Sequence, residues 1–371
     1  MKTNNIKTPI YVYNQEKTNE NISKFDIFKK CNIDVYYAIK SNNHLPLVKS
    51  FINANYGFDV ASIEELDYLI SLGADSSKIS FSAPTKLAKD IKKASRLGVR
   101  MYAFDSEVEA VKIIRNAKKP LLIARITAYN EDAAFNLSVK FGMDPSYSKK
   151  IIRKAQLHKW PLAGVTFHVG SQNNSIVSWR KALTGAQIFI NESLKHGIKL
   201  SILNIGGGIP ARYSKEIKDS TYYIEKICEQ IRVFRQKNKY IKEVIIEPGR
   251  ALSANTTDLI TKVVNIKEYK KPPLIVVDTS VFNGIIEPLE HFEYGIRALK
   301  NGKTREKLKY YKVAGISCDG YDIIKKRCLL PRDLEIGDYL LIENTGAYTF
   351  VYENFHMREF PKIVNSNKKY A

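Results

Sequence analysis

Eight short apolar runs recur along the first 250 residues, and between them lie segments whose apolar positions are spaced as in a helix. Runs of this length, bounded by polar or turn residues, are typical of buried β-strands. The eight runs are DVYYAI (34–39), YGFDVA (56–61), KISFS (78–82), RMYAFD (100–105), PLLIARIT (120–127), AGVTFHV (163–169), LSILNIG (200–206) and EVIIEP (243–248). This alternation predicts parallel strands that are joined by helical crossovers.

Two of the intervening segments also carry signals for helix ends. In SIEELDYLISLG, Ser62 is a candidate N-cap, Glu65 completes a capping box, and Gly73 closes the segment. In SEVEAVKIIRNA, Ser106 can cap a second helix, and the apolar residues recur at helical spacing. Both segments therefore predict helices that lie between strands.

Eight strands alternating with helices are the arrangement of a (β/α)8 barrel, and a doubly wound open sheet is the alternative. Polar residues at the ends of many different strands favour the barrel, because an open sheet gathers its site at one switch point. These residues are Lys40, Asp59, Arg125, His168, the glycines after Asn204, and Glu247. We therefore predict a TIM-like (β/α)8 barrel over residues 25–255.

The pattern changes after residue 255, where strand-like runs are separated by turns and helical spacing is scarce. The runs are LITKVVNIKEY (259–269), PPLIVVDTS (272–280), KLKYYKVAGIS (307–317), GDYLLIEN (337–344) and AYTFVY (347–352). They predict a C-terminal β-sandwich or β-barrel domain over residues 256–371. The short strand TPIYVY (8–13) could join either domain, and we assign it to this one.

Composition narrows the class of protein. The 371 residues are 44% hydrophobic and 26% charged, as in ordinary globular proteins. The chain has no apolar run of about 18 residues that would predict a membrane helix, and residues 1–15 lack the apolar stretch of a secretory signal. Four scattered cysteines argue against a disulfide framework or a zinc cluster, so we expect a cytoplasmic protein without a metal site.

The formal net charge of +21 raises the alternative of a polyanion-binding protein. The lysines are spread along the whole chain, and no recognisable nucleic-acid-binding motif accompanies them. We therefore expect no nucleic-acid partner. Strong salt-dependent retention on DNA without enzyme activity would support the alternative.

Glycine-rich turns follow the last two predicted barrel strands. Gly206, Gly207 and Gly208 follow the seventh strand, and Gly249 with Arg250 follows the eighth in EPGR. Barrels commonly bind phosphate through these two loops, and consecutive glycines let backbone N–H groups face an anion. A plain tight turn is the alternative for each loop alone, but together the two loops predict a phosphate site.

A phosphate site and a lysine at a strand end are two requirements of pyridoxal phosphate, which binds through a lysine Schiff base. Lys40 in VYYAIKSN could form that bond, although most lysines of this chain are expected on solvated helix faces. Glu247 could keep the pyridine nitrogen protonated. His168 in FHVGSQ could lie against the cofactor ring and Ser171 could bond its phosphate, while a core-packing histidine is the alternative.

Three residues of the predicted β domain could add to such a site. Cys318 and Asp319 in AGISCDGYD combine a thiol proton donor with a carboxylate that could bind a cation. Tyr348, on the expected strand in NTGAYTF, could reach a phosphate with its phenol. Inert packing is the alternative for Cys318 and for Tyr348.

The chain resembles the fold-type III pyridoxal-phosphate decarboxylases, which share the alanine racemase-like barrel, and within them the ornithine decarboxylase group with its bacterial ornithine/lysine decarboxylases. The similarity rests on eight segments in family order, namely YYAIKSN, GFDVASIEEL, LSVKFGM, FHVGSQ, NIGGGIP, EPGR, SCDGYD and GAYT. Diaminopimelate decarboxylases typically read Cys-Glu-Ser-Gly where this chain has Cys318-Asp319-Gly320, and alanine racemases are less similar throughout.

The resemblance implies a role for each matched barrel residue. Lys40 would bind the cofactor covalently, and Asp59 and Arg125 would support the cofactor and the lysine. His168 would stack on the ring, and Glu247 would face the pyridine nitrogen. The phosphate would be bound by Ser171, Gly206, Gly207, Gly208, Gly249, Arg250 and Tyr348.

The resemblance also implies a homodimer with active sites at the interface, because two residues of this family act in the partner subunit's site. Cys318 would reprotonate Cα after carbon dioxide leaves, and Asp319 would bind the distal ammonium of the substrate. Where eukaryotic ornithine enzymes have Tyr-Asp, this chain has Glu287-Pro288. Glu287 could supply the missing carboxylate, with one more methylene of reach.

The implied reaction is decarboxylation of L-ornithine to putrescine, a step of polyamine biosynthesis. Decarboxylation of L-lysine to cadaverine is also possible, because Glu287 leaves the preferred chain length of the substrate open. The alternatives are a lysine-preferring or diaminopimelate-type decarboxylase, a racemase, and a catalytically inactive regulatory homologue.

Overall fold

The computed structural model describes residues 7–128, 133–214, 216–299 and 307–359, and all eight predicted apolar runs form strands in it. Eight of the strands up to residue 246 close into a parallel barrel in the order β10-β11-β2-β3-β4-β5-β6-β8. The strands of this part are β1 (Ile10–Tyr13), β2 (Asp34–Ala38), β3 (Gly57–Val60), β4 (Ile79–Phe81), β5 (Met101–Phe104), β6 (Leu121–Arg125), β7 (Ala133–Phe135), β8 (Leu162–Thr166), β9 (Ser171–Asn173), β10 (Ile202–Asn204) and β11 (Glu243–Ile246).

Helices connect the barrel strands and cover the outside of the barrel. They are α1 (Gln15–Lys30), α2 (Leu45–Asn53), α3 (Ile63–Ser71), α4 (Ala88–Arg96), α5 (Glu107–Asn116), α6 (Pro145–Leu157), α7 (Ile176–Lys195), α8 (Ser220–Lys237) and α9 (Arg250–Ser253). Short 3₁₀ helices lie at Ile39–Ser41, Ser76–Lys78, Ala254–Thr256, Glu287–Glu290 and Phe350–Met357.

The two helix starts predicted from capping residues are confirmed. Ser62 Oγ accepts a hydrogen bond from the Glu65 N–H at 3.0 Å, and Glu65 Oε2 accepts from the Ala61 N–H at 2.6 Å. Ser106 Oγ accepts from the Glu109 N–H at 3.3 Å. These bonds satisfy N–H groups that the first turn of a helix leaves without a partner.

The barrel has a small interior core and a large outer one. The interior is filled by Tyr36, Met101, Ile123, Ile202 and Ile245, while the remaining apolar strand positions pack outward against the helices. Because side chains fill the interior, a ligand site must lie at an end of the barrel, and barrel enzymes place it where the strands end.

A mixed sheet follows the barrel, so the predicted fold class is confirmed. Its order is β14-β17-β12-β13-β15-β16, with β1 paired to β12 and with β13 parallel to β15. The strands are β12 (Thr257–Lys267), β13 (Leu274–Val277), β14 (Gly295–Ala298), β15 (Leu308–Ala314), β16 (Ile323–Pro331) and β17 (Tyr339–Glu343). β12 pairs with β1 and β17 along its first half and with β13 along its second half.

The N-terminal strand returns to this sheet, because Ile10 to Tyr13 pair in antiparallel register with residues 257–260. The division of the chain between residues 255 and 256 stays a prediction. The end of the predicted β domain, residues 360–371, lies outside the described residues.

One expected strand is wrong. The AYTFVY run (347–352) forms a turn followed by a 3₁₀ helix, with Tyr348 at a φ of 53°. The Gly346 N–H donates to the Ala254 carbonyl at 2.9 Å and the Tyr348 N–H to the Ser41 carbonyl at 2.9 Å. The backbone bonds of this segment therefore go to the barrel rim instead of a strand ladder.

Two strands of the mixed sheet, β14 and β16, were not predicted, and neither were the short strands β7 and β9, which pair with each other. The centre of β16 reads Lys325-Lys326-Arg327, which breaks the apolar pattern. Exposed strand faces can carry such charges because only the opposite face packs on a core.

The cysteines also differ from expectation, since Cys31 and Cys228 form a disulfide between the end of α1 and α8, with 5.9 Å between their Cα atoms. Because 197 residues separate the two cysteines, their spacing in the sequence could not predict that they pair. In the described part of the chain, no helix is long and apolar enough to cross a membrane.

Candidate active site

Nine of the residues singled out in the sequence line one cavity at the rim where the barrel strands end. The lining consists of Ala38, Lys40, Asp59, His168, Ser171, Gly208, Ile209, Glu247, Gly249, Arg250 and Tyr348. Most of them follow a strand by no more than a few residues, so the closed barrel brings their side chains together. A second crevice, between α6 and α7, is mainly apolar and contains none of the predicted site residues.

Lys40 and Asp59 come from neighbouring strand ends and form an ion pair. Lys40 lies in the 3₁₀ turn after β2, and its Nζ donates to Asp59 Oδ2 on β3. Burial alone would lower the pKa of Lys40, but the charges of Asp59, Tyr348 and Glu247 raise it above the ordinary value. Asp59 Oδ1 is buried and has no hydrogen-bond partner among the described residues. Lys40 is therefore a cation held at the cavity by its neighbour.

Glu247 follows β11 and is buried beside the same pair. Burial, followed by the charge of Asp59, raises the pKa of Glu247 to about 7. Ser82 Oγ and Asn204 Nδ2 both donate to Glu247 Oε1, each at 2.6 Å. Both of these bonds go to the same oxygen, which leaves Oε2 for a ligand.

Sequence reasoning missed both partners of Glu247. Ser82 follows β4 and Asn204 ends β10. The same strand-end signal that selected Lys40 could have found them.

His168 is neutral in this cavity. Burial, followed by the charges of Arg125 and Lys40, lowers the pKa of His168 to about 3. Its Nδ1 accepts from the Gly170 N–H at 3.0 Å, which assigns the ring proton to Nε2. Arg125 ends β6, and its guanidinium lies 5.0 Å from the ring centre of Phe141.

The three glycines after β10 allow the backbone to pass close to the rim. A Cβ on Gly206, whose φ is +61°, would lie 2.2 Å from the Phe167 carbonyl oxygen. A Cβ on Gly207 would lie 2.5 Å from the Glu247 carbonyl oxygen, and Gly208 has a φ of +119°. Only glycine fits this path without strain.

Arg250 begins α9 and contacts residues from several distant segments. Its Nε donates to Ser171 Oγ at 3.2 Å, and its guanidinium lies 4.8 Å from the centre of the Tyr348 ring. Glu287 forms a bidentate ion pair with Arg250. The predicted phosphate ligands Ser171, Arg250 and Tyr348 thus lie together, while Glu287 lies against the arginine.

Cys318 and Asp319 are not brought to this cavity within one chain. Both lie on the segment between β15 and β16, and both are exposed. The Asp319 side chain accepts from the Tyr321 N–H at 2.7 Å through Oδ1.

The cavity fits pyridoxal phosphate. Its wall presents a lysine amine, the Ser171 and Tyr348 hydroxyls, and an arginine beside a glycine turn with no room for side chains. Glu247, with one oxygen left over, matches the need for a carboxylate against the pyridine nitrogen. In the part of the chain that the structure describes, no cluster of His, Cys, Asp and Glu could hold a metal ion.

Comparison with known proteins agrees with this geometry. Residues 16–254 match the model of the pyridoxal-dependent decarboxylase family, pyridoxal binding domain. The lysine/ornithine decarboxylase of Selenomonas ruminantium is 31% identical over 351 residues, which cover 93% of this chain and 86% of that protein. The ornithine decarboxylase of Mus musculus is 30% identical over 338 residues, 85% of this chain and 71% of that protein.

A solved structure is similar over nearly the whole chain. It is the arginine decarboxylase of Paramecium bursaria Chlorella virus bound to agmatine, with a TM-score of 0.86 and 27% identity. The match covers 93% of this chain and 92% of that chain.

Proposed function

The chain belongs to the pyridoxal-dependent decarboxylases, in the ornithine decarboxylase group, and from that premise we propose that it converts L-ornithine into putrescine and carbon dioxide. L-Lysine, converted into cadaverine, is the second substrate. The observation that carries the proposal is the single cavity that unites Lys40, His168, Glu247 and Arg250. The name of the Selenomonas relative supports this pair of substrates. Such a reaction belongs to polyamine biosynthesis.

Pyridoxal phosphate is the cofactor, and we assign its contacts to the cavity wall. Lys40 would hold it covalently, with Asp59 and Arg125 supporting that end of the site. Glu247 would face the pyridine nitrogen, and His168 the face of the ring. The phosphate would be held by Ser171, Gly206, Gly207, Gly208, Gly249, Arg250 and Tyr348.

The cofactor supplies an electron sink for the electron pair that carbon dioxide leaves on Cα. The chain supplies the charges around it. Glu247, with a pKa of about 7, holds a proton where the ring nitrogen would lie. His168, with a pKa of about 3, offers an uncharged imidazole face that does not repel a positively charged ring. Asp59 keeps the Lys40 amine at the cavity through their ion pair.

A homodimer would complete the site. Cys318 and Asp319 are exposed, and so are the neighbouring Ile316 and Tyr321, at 57% and 78% of their surfaces. Exposed apolar side chains around polar groups are typical of an interface. In the dimer, Cys318 of one subunit would deliver the proton that replaces the carboxylate at Cα in the other. Asp319 would accept a hydrogen bond from the distal ammonium.

Arginine is a third candidate substrate, because the Chlorella virus structure with the similar fold is named an arginine decarboxylase. Diaminopimelate is a further candidate substrate, because the related diaminopimelate decarboxylases share part of the motif set.

A cytoplasmic location is also a proposal. The Cys31–Cys228 disulfide weighs against it, because the location was inferred from cysteines that were expected to be unpaired.

Replacement of Lys40 tests the cofactor assignment. Borohydride reduction of the loaded enzyme should attach the cofactor to the peptide that contains Lys40, as read by mass spectrometry. Lys40→Ala should abolish both the attachment and the turnover, because the described residues of the cavity wall include no other lysine that could take its place. Lys78 lies before β4, is only partly exposed and does not line the cavity, so Lys78→Ala is the control and should behave as wild type. Near-normal turnover of Lys40→Ala would refute the assignment.

Substrate choice is tested by kcat/KM for ornithine, lysine, arginine and diaminopimelate, with identification of the amine product. We expect the highest value for ornithine, with lysine second. Release of carbon dioxide from neither of them, in protein that binds the cofactor, would contradict the proposed function and favour an inactive homologue.

A further inference from the structure

Arg250 and Glu287 form a closed ion pair in the cavity wall. Arg250 Nη1 lies 2.9 Å from Glu287 Oε2, and Nη2 lies 2.5 Å from Oε1. The side chains are only 4% and 5% exposed. The pair joins the first residue of α9 to the first residue of the 3₁₀ helix Glu287–Glu290, so it connects the barrel rim to the β-domain segment.

The surroundings of the pair use almost all of its hydrogen-bonding groups. Tyr294 Oη–H donates to Glu287 Oε2 at 3.3 Å, so both carboxylate oxygens have partners. Arg250 Nη1 also donates to Tyr213 Oη at 3.1 Å, and Nε donates to Ser171 Oγ. Of the five N–H groups of a guanidinium, only one on Nη2 lacks a partner among the described residues.

Aromatic rings enclose the guanidinium on several sides. Its carbon lies 5.0 Å from the ring centre of Phe292, 5.4 Å from Phe135 and 5.8 Å from Tyr213. These rings exclude water from the pair, and a buried guanidinium needs a counter-charge. Moving Glu287 away to meet a substrate ammonium would remove that counter-charge.

We propose that Glu287 is a positioning residue that orients Arg250 toward the cofactor's phosphate, and that it does not bind the distal ammonium of the substrate. The proposal rests on the proposed function, because it takes pyridoxal phosphate as the ligand. It replaces the substrate role expected for Glu287 from the sequence.

The geometry explains how the orientation serves a phosphate. The bidentate contact fixes the plane of the guanidinium, since two parallel hydrogen bonds allow only one arrangement. Ser171 Oγ accepts from Arg250 Nε and keeps its own O–H proton to donate to a phosphate oxygen. The remaining N–H group on Arg250 Nη2 can also donate to a phosphate oxygen. Glu287 therefore acts on the phosphate through Arg250.

The test compares two ligands that differ only in the phosphate. The dissociation constants of pyridoxal phosphate and of pyridoxal are measured on the cofactor-free protein by fluorescence, without substrate. Glu287→Gln keeps the shape but offers one acceptor oxygen, so it should weaken pyridoxal phosphate binding by about tenfold or more and leave pyridoxal binding nearly unchanged. Glu287→Asp should restore part of the loss.

Glu290→Gln is the matched control, since Glu290 lies on the same 3₁₀ helix and is exposed. It should change neither constant. At saturating cofactor, Glu287→Gln should leave the KM for ornithine within about twofold of the wild-type value, because Glu287 does not contact the substrate.

Two outcomes would overturn the proposal. One is unchanged or tighter pyridoxal phosphate binding in Glu287→Gln, together with a raised KM for ornithine. The other is equal weakening of pyridoxal and pyridoxal phosphate, which would indicate a general disturbance of the site. Failure of the decarboxylation itself would remove only the KM comparison, because the two dissociation constants are measured without turnover and decide the proposal by themselves.

Discussion

At the scale of single residues, burial in the barrel rim decides the charge of the groups in the cavity. It raises the pKa of Glu247 to about 7 and lowers that of His168 to about 3. Lys40 escapes this trend because Asp59 supplies a counter-charge on the adjacent strand. In this cavity Glu247 thus titrates near neutral pH, His168 is neutral and Lys40 is a cation.

The raised pKa of Glu247 predicts a pH-dependent stability of the cofactor-free protein. The unfolded carboxyl titrates near 4.5 and the folded one near 7, so the folded state holds the proton more tightly. The free energy of unfolding should therefore fall as pH rises from about 4.5 to about 7, with a slope of up to about 1.4 kcal/mol per pH unit from this group. Denaturant unfolding across this pH range measures it.

Glu247→Gln provides the comparison, because its amide cannot titrate and its carbonyl can still accept from Ser82 and Asn204. The wild-type stability relative to this variant should decline between pH 4.5 and 7 and be level outside that window. Parallel pH profiles for the two proteins would show that Glu247 keeps an ordinary pKa.

At the scale of elements, the loop after β10 shows how tightly the rim is built. The Gly206 N–H donates to Asn204 Oδ1 at 2.8 Å, and the Gly206 carbonyl accepts from the Glu247 N–H at 2.8 Å. The loop therefore connects the ends of two barrel strands while its backbone passes against Phe167. This contact places the glycines beside His168 and Glu247.

Gly206→Ala should destabilise the protein by more than the backbone conformation alone would explain. The new Cβ would lie 2.2 Å from the Phe167 carbonyl oxygen, and the φ of +61° adds strain. We expect a loss of about 3 kcal/mol or more in the free energy of unfolding. Chemical denaturation of the cofactor-free protein measures this loss.

Gly197→Ala separates the two effects. Gly197 has a φ of +73°, but a Cβ added to it would meet no other atom within 4 Å, so this substitution carries only the conformational strain. Its loss should be about 1–2 kcal/mol. Equal losses in the two variants would mean that the loop after β10 moves aside freely.

At the scale of the whole molecule, the β domain completes the barrel's site from a distance in sequence. Tyr348 reaches the cavity through its backbone bond to Ser41, and Glu287 reaches it through Arg250. Cys318 and Asp319 face outward instead. The proposed dimer accounts for both orientations. The segment with Tyr348 contacts the barrel of its own subunit, and the segment with Cys318 and Asp319 would contact the partner subunit.

Mixing two inactive variants tests this arrangement. In a dimer with shared sites, Lys40→Ala and Asp319→Ala subunits together form one site with both changes and one intact site. Random exchange should then restore about a quarter of the wild-type activity. The activity is measured after co-refolding, with the mass of the assembly determined in parallel.

Each variant mixed with itself is the control and should stay inactive. If the mixture also stays inactive while dimers form, Asp319 acts within its own subunit or has no role in the site. A monomeric wild-type protein with full activity would contradict the shared site altogether.

The sequence alone determined the barrel and most of the cavity. Apolar runs and helical spacing are local properties, so they identified all eight barrel strands. The strands of a closed parallel barrel all end at the same rim, so the sequence alone could place Lys40, Asp59 and Glu247 in one site. The caps Ser62 and Ser106 could also be predicted from the sequence, because a capping side chain bonds to groups within its own turn.

Only the tertiary structure decided which residues meet across long separations. The Arg250–Glu287 pair, the Cys31–Cys228 disulfide and the bonds of Ser82 to Glu247 join elements whose approach depends on packing. The turn at Tyr348 replaced the expected strand because its backbone found partners on the barrel. Local patterns record which face of an element is buried, whereas the partner of a buried charge is chosen by the fold around it.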